Sequence, residues 1–166
     1  MKHIIWIAIN VLFLLVSTIY IWVFQKPDTL FIGAGALLGQ VAVVLFLINV
    51  NMYFIFLVIR KSTKRNVRVT LAKIARRMMK RHITIAVLAT TIILIHAFIM
   101  LTQLGPLIGF FGPKMISGYV GLVVLTLTLI GGYRRHRKAT GFRRRFHLTM
   151  AMIFTAVFVI HLFMPF

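Results

Sequence analysis

The chain has 166 residues, of which 61% are hydrophobic, and a mean hydropathy of +0.99. Twenty Lys and Arg stand against a single acid, Asp28, giving a formal charge of +19, and cysteine is absent. These counts exclude a thiol nucleophile, a disulfide framework, a Cys-ligated zinc or iron–sulfur site and a carboxylate pair for general acid–base catalysis. A Ser-His-Asp arrangement would have only Asp28 to use, which nearly removes hydrolases built from protein side chains.

The basic residues fall in blocks between long apolar runs, which distinguishes a membrane protein from a nucleic-acid binder. A spanning helix needs about 20 apolar residues. The runs predict an all-α integral membrane protein, one transmembrane domain over residues 1–166 made of five helices at about 4–24, 30–59, 82–101, 115–133 and 146–165. The first run is longer than a signal-peptide core and lacks a small-x-small cleavage site after it, so it is kept as helix one. Pro27, Asp28 and Thr29 form a start signal for helix two, with Asp28 as the expected cap. The second run is long enough to tilt or to begin in the interface.

Two connections carry nearly all the charge. Residues 60–81 hold ten Lys and Arg, and residues 133–145 hold seven. Read as basic loops over 60–81 and 134–145, they face the cytoplasm, which places the N-terminus with Lys2 inside and Phe166 outside. Trp6 then fits the inner aromatic belt, and Tyr20 and Trp22 the outer one. Within the first basic loop, Val69, Leu71, Ile74, Ala75 and Met78 lie roughly along one helical face, as in an amphipathic helix on the inner leaflet. No internal repeat or low-complexity segment is visible. The protein is expected in the plasma membrane, multi-pass.

Six histidines remain. His3 and His136 stand among Lys and Arg and read as solvated interfacial groups. His82 and His96 are fourteen residues apart on helix three, as are His147 and His161 on helix five. Fourteen steps fall about 40° short of four turns and rise about 21 Å, so each pair shares a face and fits within the hydrocarbon layer. Both helices run outward. His82 and His147 are therefore level near the inner side, and His96 and His161 near the outer side. Two level pairs of imidazoles are what two stacked b-type haems require, His82 with His147 and His96 with His161. Interhelical hydrogen bonding is the plainer reading of any one of them, but four matched in depth favour ligation. A mononuclear site would need three or four ligands converging on a point.

Haem propionates need basic partners. Arg81 and Arg143, Arg144 and Arg145 stand beside the inner histidines, with Lys114 at the outer level, although the positive-inside pattern alone explains most arginines. Gln40, Asn49 and Asn51 in helix two read as interhelical hydrogen-bond formers, or as the lining of a quinone or flavin pocket.

Arg81-His82 followed by His96, and Arg144-Arg145-Phe146-His147 followed by His161-Leu162-Phe163, resemble the ferric-reductase-like transmembrane domain. That superfamily includes ferric reductases, NADPH oxidases and the haem subunit of periplasmic methionine sulfoxide reductase. The stretch Gly121–Arg135 is also similar, and the resemblance extends from about Leu71 to the C-terminus. It implies axial ligation by His82, His96, His147 and His161. The chain departs from the family in ending after helix five, and in having no nucleotide-binding fingerprint. The expected function is transmembrane electron transfer, as an oxidoreductase component, from a cytoplasmic-side donor to an outer acceptor. The expected donor is a flavoprotein or quinol, the acceptor is unidentified, membrane lipid is a partner and nucleic acid is not. The alternatives are a cytochrome b anchor subunit of a quinone oxidoreductase, and a haem-free scaffold or transporter.

Overall fold

The computed structural model describes residues 2–26 and 28–165, with the backbone alone for 2–4. The elements are α1 (Lys2–Ile19), α2 (Leu30–Lys61), α3 (Arg65–Ile99), a short α4 (Gly105–Ile108), α5 (Pro113–Arg137) and α6 (Gly141–Phe163). π-helical turns at Tyr20–Phe24 and Met100–Leu104 continue α1 and α3. No strand occurs among the described residues. Five helices are long and apolar enough to cross a membrane. Large exposed side chains such as Ile7, Leu12, Val87, Phe98 and Val123 run along their outer faces, a pattern suited to a hydrocarbon solvent rather than water.

The predicted basic loops are helix ends instead. Arg60 and Lys61 close α2, and only Ser62, Thr63 and Lys64 separate it from α3. Residues 65–99 contain no Gly or Pro and are rich in Ala, Leu, Met, Lys and Arg, so nothing interrupts helical winding. The segment Val69–Met79, expected as a separate helix on the leaflet, is therefore the first half of α3, with Ala75 buried. Likewise α5 continues to Arg137, and Lys138, Ala139 and Thr140 alone lead into α6. Thr140 Oγ1 caps α6 by accepting from Arg143 N at 3.3 Å. The cap of α2 is Thr29 rather than Asp28: its hydroxyl accepts from Ile32 N at 3.2 Å, whereas Asp28 is exposed one residue too early. Pro27 and Phe166 lie outside the described residues, as do the side chains of Lys2 and His3.

The chain forms two compact units. The first comprises residues 1–18 and 27–99, and the second 19–26 and 100–166. In the first, α2 and α3 form an antiparallel hairpin joined by α1. Asn51 Nδ2 donates to Asn10 Oδ1 at 2.9 Å, Gln40 Nε2 donates to Thr18 Oγ1, and Trp6 packs on Phe54 at 4.2 Å between ring centroids. Gly35, Ala36, Ala42 and Ala89 are buried in α2 and α3 together with Ile32, Val43 and Phe46, and such small residues permit the close backbone approach on which helix pairing in lipid depends. In the second unit, α5 and α6 form an equivalent hairpin, where Leu125 and Phe154 are buried.

The end of α6 is closed by three side chains of that unit. Tyr20 Oη donates to Phe163 O at 2.9 Å, Gln25 Nε2 to Met164 O at 2.8 Å, and Lys114 Nζ to Met164 O at 2.7 Å. Lys114 also reaches Leu162 O and Gln25 Oε1, each at 3.5 Å. A helix ends with orphan carbonyls and a partial negative charge, so a buried ammonium is well placed there. Replacing Lys114 with Met should lower unfolding stability in detergent by about 1.5–3 kcal/mol, the range for a hydrogen-bonded charge lost from a low-dielectric site. Unchanged thermal and denaturant unfolding would show that the cap contributes nothing.

Candidate functional site

The four spaced histidines sit on the second helix of each hairpin, and each ring turns its Nδ1 toward the helix before it. His96 Nδ1 lies 2.7 Å from Gly35 O, and His147 Nδ1 lies 3.0 Å from Thr128 O. His82 Nδ1 lies 3.1 Å from Asn49 Oδ1, and His161 Nδ1 lies 2.9 Å from Ser117 Oγ. Carbonyl and amide oxygens only accept, so His96, His147 and His82 donate from Nδ1. The Ser117 hydroxyl is committed as a donor to Lys114 O at 2.8 Å, so it accepts from His161. All four neutral imidazoles therefore carry the Nδ1 proton, and the lone pair resides on Nε2. Metal-ligating histidines are commonly held this way: a backbone or side-chain acceptor on one nitrogen fixes the tautomer and the ring plane for the other.

Glycine makes three of these contacts possible. A helical carbonyl bonds the N–H four residues on and keeps a second lone pair, which a ring reaches only if no side chain intervenes. Gly39 follows Gly35 by four, and a Cβ there would lie 3.0 Å from His96 Cε1 and Nδ1. Gly132 follows Thr128 by four, and its Cβ would lie 3.2 Å from His147 Cε1. Gly118 follows Lys114 by four, and its Cβ would lie 3.2 Å from His161 Cε1, with the Ser117 hydroxyl interposed between ring and carbonyl. At His82 a side-chain oxygen, that of Asn49, replaces the backbone one, and the residue four positions after Asn49 is Tyr53 rather than glycine.

The other expected site residues are placed as follows. Arg81 is exposed next to His82, and Arg144 and Arg145 are exposed in the first turn of α6. Arg143 instead closes α5, donating from Nη1 to Arg134 O at 3.1 Å and Lys138 O at 3.2 Å. Lys114 is held by the carbonyls at the end of α6. His136 is exposed in the last turn of α5. Gln40, Asn49 and Asn51 all bond across helices. Among the described residues no three or more His, Asp or Glu gather as metal ligands, and a bis-histidine haem asks for only two. Gly39, Gly118, Gly132 and Ser117 were not evident as site residues from sequence. Their signal is a glycine in an apolar helix, which lowers helix stability by about 1 kcal/mol unless packing requires it.

No protein-family model, characterised protein or solved structure matches the chain.

The close approaches can be tested directly. Gly39→Ala should destabilise the protein by about 1–3 kcal/mol despite improved helix propensity, because the ring it meets is held at 2.7 Å by Gly35 and cannot retreat. Gly141→Ala, whose Cβ meets nothing within 4 Å, should stay within about 0.5 kcal/mol of the parent. Equal unfolding of both variants would remove the packing role of Gly39.

Proposed function

We propose that the protein is a membrane cytochrome that holds two b-type haems and carries electrons between the two sides of the bilayer. The observation that carries the reading is the common orientation of His82, His96, His147 and His161. Each turns Nδ1 to an oxygen of the preceding helix, the arrangement in which Nε2 would serve as the ligating nitrogen. Packing alone does not require one tautomer at four positions. Within α3 and within α6 the two histidines are separated by uninterrupted α-helix, so their levels differ by about 21 Å.

In this reading His82 with His147 hold the inner group, and His96 with His161 hold the outer one. The basic ends of α2, α3, α5 and α6 face the cytoplasm. Exposed Arg81, Arg144 and Arg145 are the partners for propionates. Arg143 and Lys114 act as positioning residues through the helix ends they close. Haem supplies one-electron chemistry at its iron. The protein would fix the ring planes and the spacing of the ligands, through the oxygens of α2 and α5 that hold each Nδ1. The donor is a cytoplasmic-side flavoprotein or quinol, and a ferric-reductase-like relationship agrees with the motifs around His82 and His147.

Protein purified from haem-replete cells should show the split α-band of low-spin bis-histidine haem b, with about two haems per chain by pyridine haemochrome assay. His96→Ala or His161→Ala should remove chiefly one haem, and His82→Ala or His147→Ala the other, with His136→Ala retaining both. A colourless preparation ends the reading.

Asn49 offers a signed test. Hydrogen bonding at Nδ1 makes an imidazole more basic and favours ferric iron. Asn49→Leu should raise one of two midpoint potentials in a redox titration, and Asn49→Asp should lower the same one. Movement of both potentials together, or of neither, would separate Asn49 from haem ligation.

A further inference from the structure

Beyond the histidines, the α2–α3 turn carries a groove with a chemistry of its own. Two shallow, open hollows of about 470 and 280 Å³ lie side by side and share Ile59 and Ala72. Its floor is apolar, with Phe56 and Ile59 from α2 and Val69, Ala72 and Met79 from α3. Its edge is cationic, with Arg65, Arg68 and Arg76. These α3 positions recur at three- and four-residue steps, which places them along one stripe of the helix. The cations on this stripe are all arginine, while Lys73 and Lys80 fall outside it.

The positions of Arg65 and Arg68 are unfavourable for the helix itself. They occupy its first turn, where the macrodipole is positive and anions are preferred. No acid of this chain relieves them. The sole acidic side chain, Asp28, precedes α2, at the far end of a helix 32 residues long, or about 48 Å away. A bound anion at the start of α3 would satisfy the guanidinium groups of Arg65 and Arg68 and the helix terminus together, with Arg76 about 16 Å further along the same edge. Arginine also suits phosphate better than lysine does, through bidentate hydrogen bonds. The anion must bring an apolar portion, because Val69 and Met79 are about half exposed beside the charges, at 48% and 52%. An acidic protein surface or a free phosphate would answer the charge and leave that floor uncovered.

We infer that this face binds an anionic glycerophospholipid, its phosphate on Arg65 and Arg68 at the start of α3 and an acyl chain along Ile59, Phe56 and Met79 past Arg76. The inference is independent of haem, since none of these residues is a proposed ligand.

The test uses the full-length protein in mild detergent, with binding followed by thermal shift and by native mass spectrometry. Phosphatidylglycerol should bind and raise the melting temperature. Phosphatidylcholine with the same chains, and inorganic phosphate, should not. R65Q/R68Q/R76Q should weaken phosphatidylglycerol binding about tenfold or more, whereas K73Q/R77Q/K80Q, with the same loss of charge, should leave it near the parent value. Equal weakening in both triple variants would overturn the site in favour of diffuse attraction. Stabilisation by inorganic phosphate alone would make it a free-anion site. An acidic polypeptide that binds here and resists displacement by phosphatidylglycerol would make it a protein-docking surface. Should the glutamine variant fail to fold, R65K/R68K/R76K keeps the charge and removes the bidentate geometry. Undiminished binding in that variant would equally overturn an arginine-specific site.

Discussion

Hydrocarbon offers no hydrogen bonds, so each polar side chain that enters a spanning helix has to find its partner within the protein. In this chain that requirement organises the helix pairing. Asn10 meets Asn51, Thr18 meets Gln40, and the histidines meet oxygens of α2 and α5. Thr90, Thr91, Thr126, Thr128 and Thr155 bond back to the carbonyl four residues earlier and need no neighbour. Among the described residues no buried side-chain nitrogen or oxygen is left without a partner. Apolar surfaces in lipid slide past one another with little penalty, because lipid tails are as apolar as leucine. A few obligatory polar contacts therefore fix the register that the remaining side chains then fill.

The five spans were legible because length and hydropathy alone define them, and the charge asymmetry was legible because it is a count. Neither signal says whether a basic residue lies on a loop or on a helix. Arg65 to Arg81 satisfy the charge rule equally well when wound into α3, and their composition of strong helix formers winds them. The cap of α2 shows the same limit on a smaller scale. Asp28 and Thr29 are both good caps, and the choice depends on which backbone first turns helical.

The site divides in a similar way. The histidine spacing is written in side chains and can be read directly. The acceptors for His96 and His147 are backbone carbonyls, which have no letter of their own. Their presence is recorded only indirectly, by Gly39 and Gly132, whose value lies in what they lack. Asn49 and Ser117 are visible as polar residues, yet their partners follow only from the register of two antiparallel helices.

That register also exposes a correspondence the sequence conceals. In each hairpin the first helix offers oxygens fourteen residues apart: Gly35 and Asn49 on α2, and Lys114, through Ser117, and Thr128 on α5. The second helix answers with histidines fourteen apart. Two of the four contacts, at His96 and His147, are a backbone carbonyl with glycine four residues later, and at His161 the Ser117 hydroxyl stands between ring and carbonyl. At His82 Asn49 extends an amide in place of the carbonyl, and Tyr53 rather than glycine stands four residues later in the sequence. A backbone carbonyl is fixed by the helix that contains it and is nearly immune to substitution. An amide on a rotatable side chain is not. His82 and His161, held by Asn49 and Ser117, are thus the histidines whose hydrogen bonds the sequence can most readily strengthen, weaken or remove.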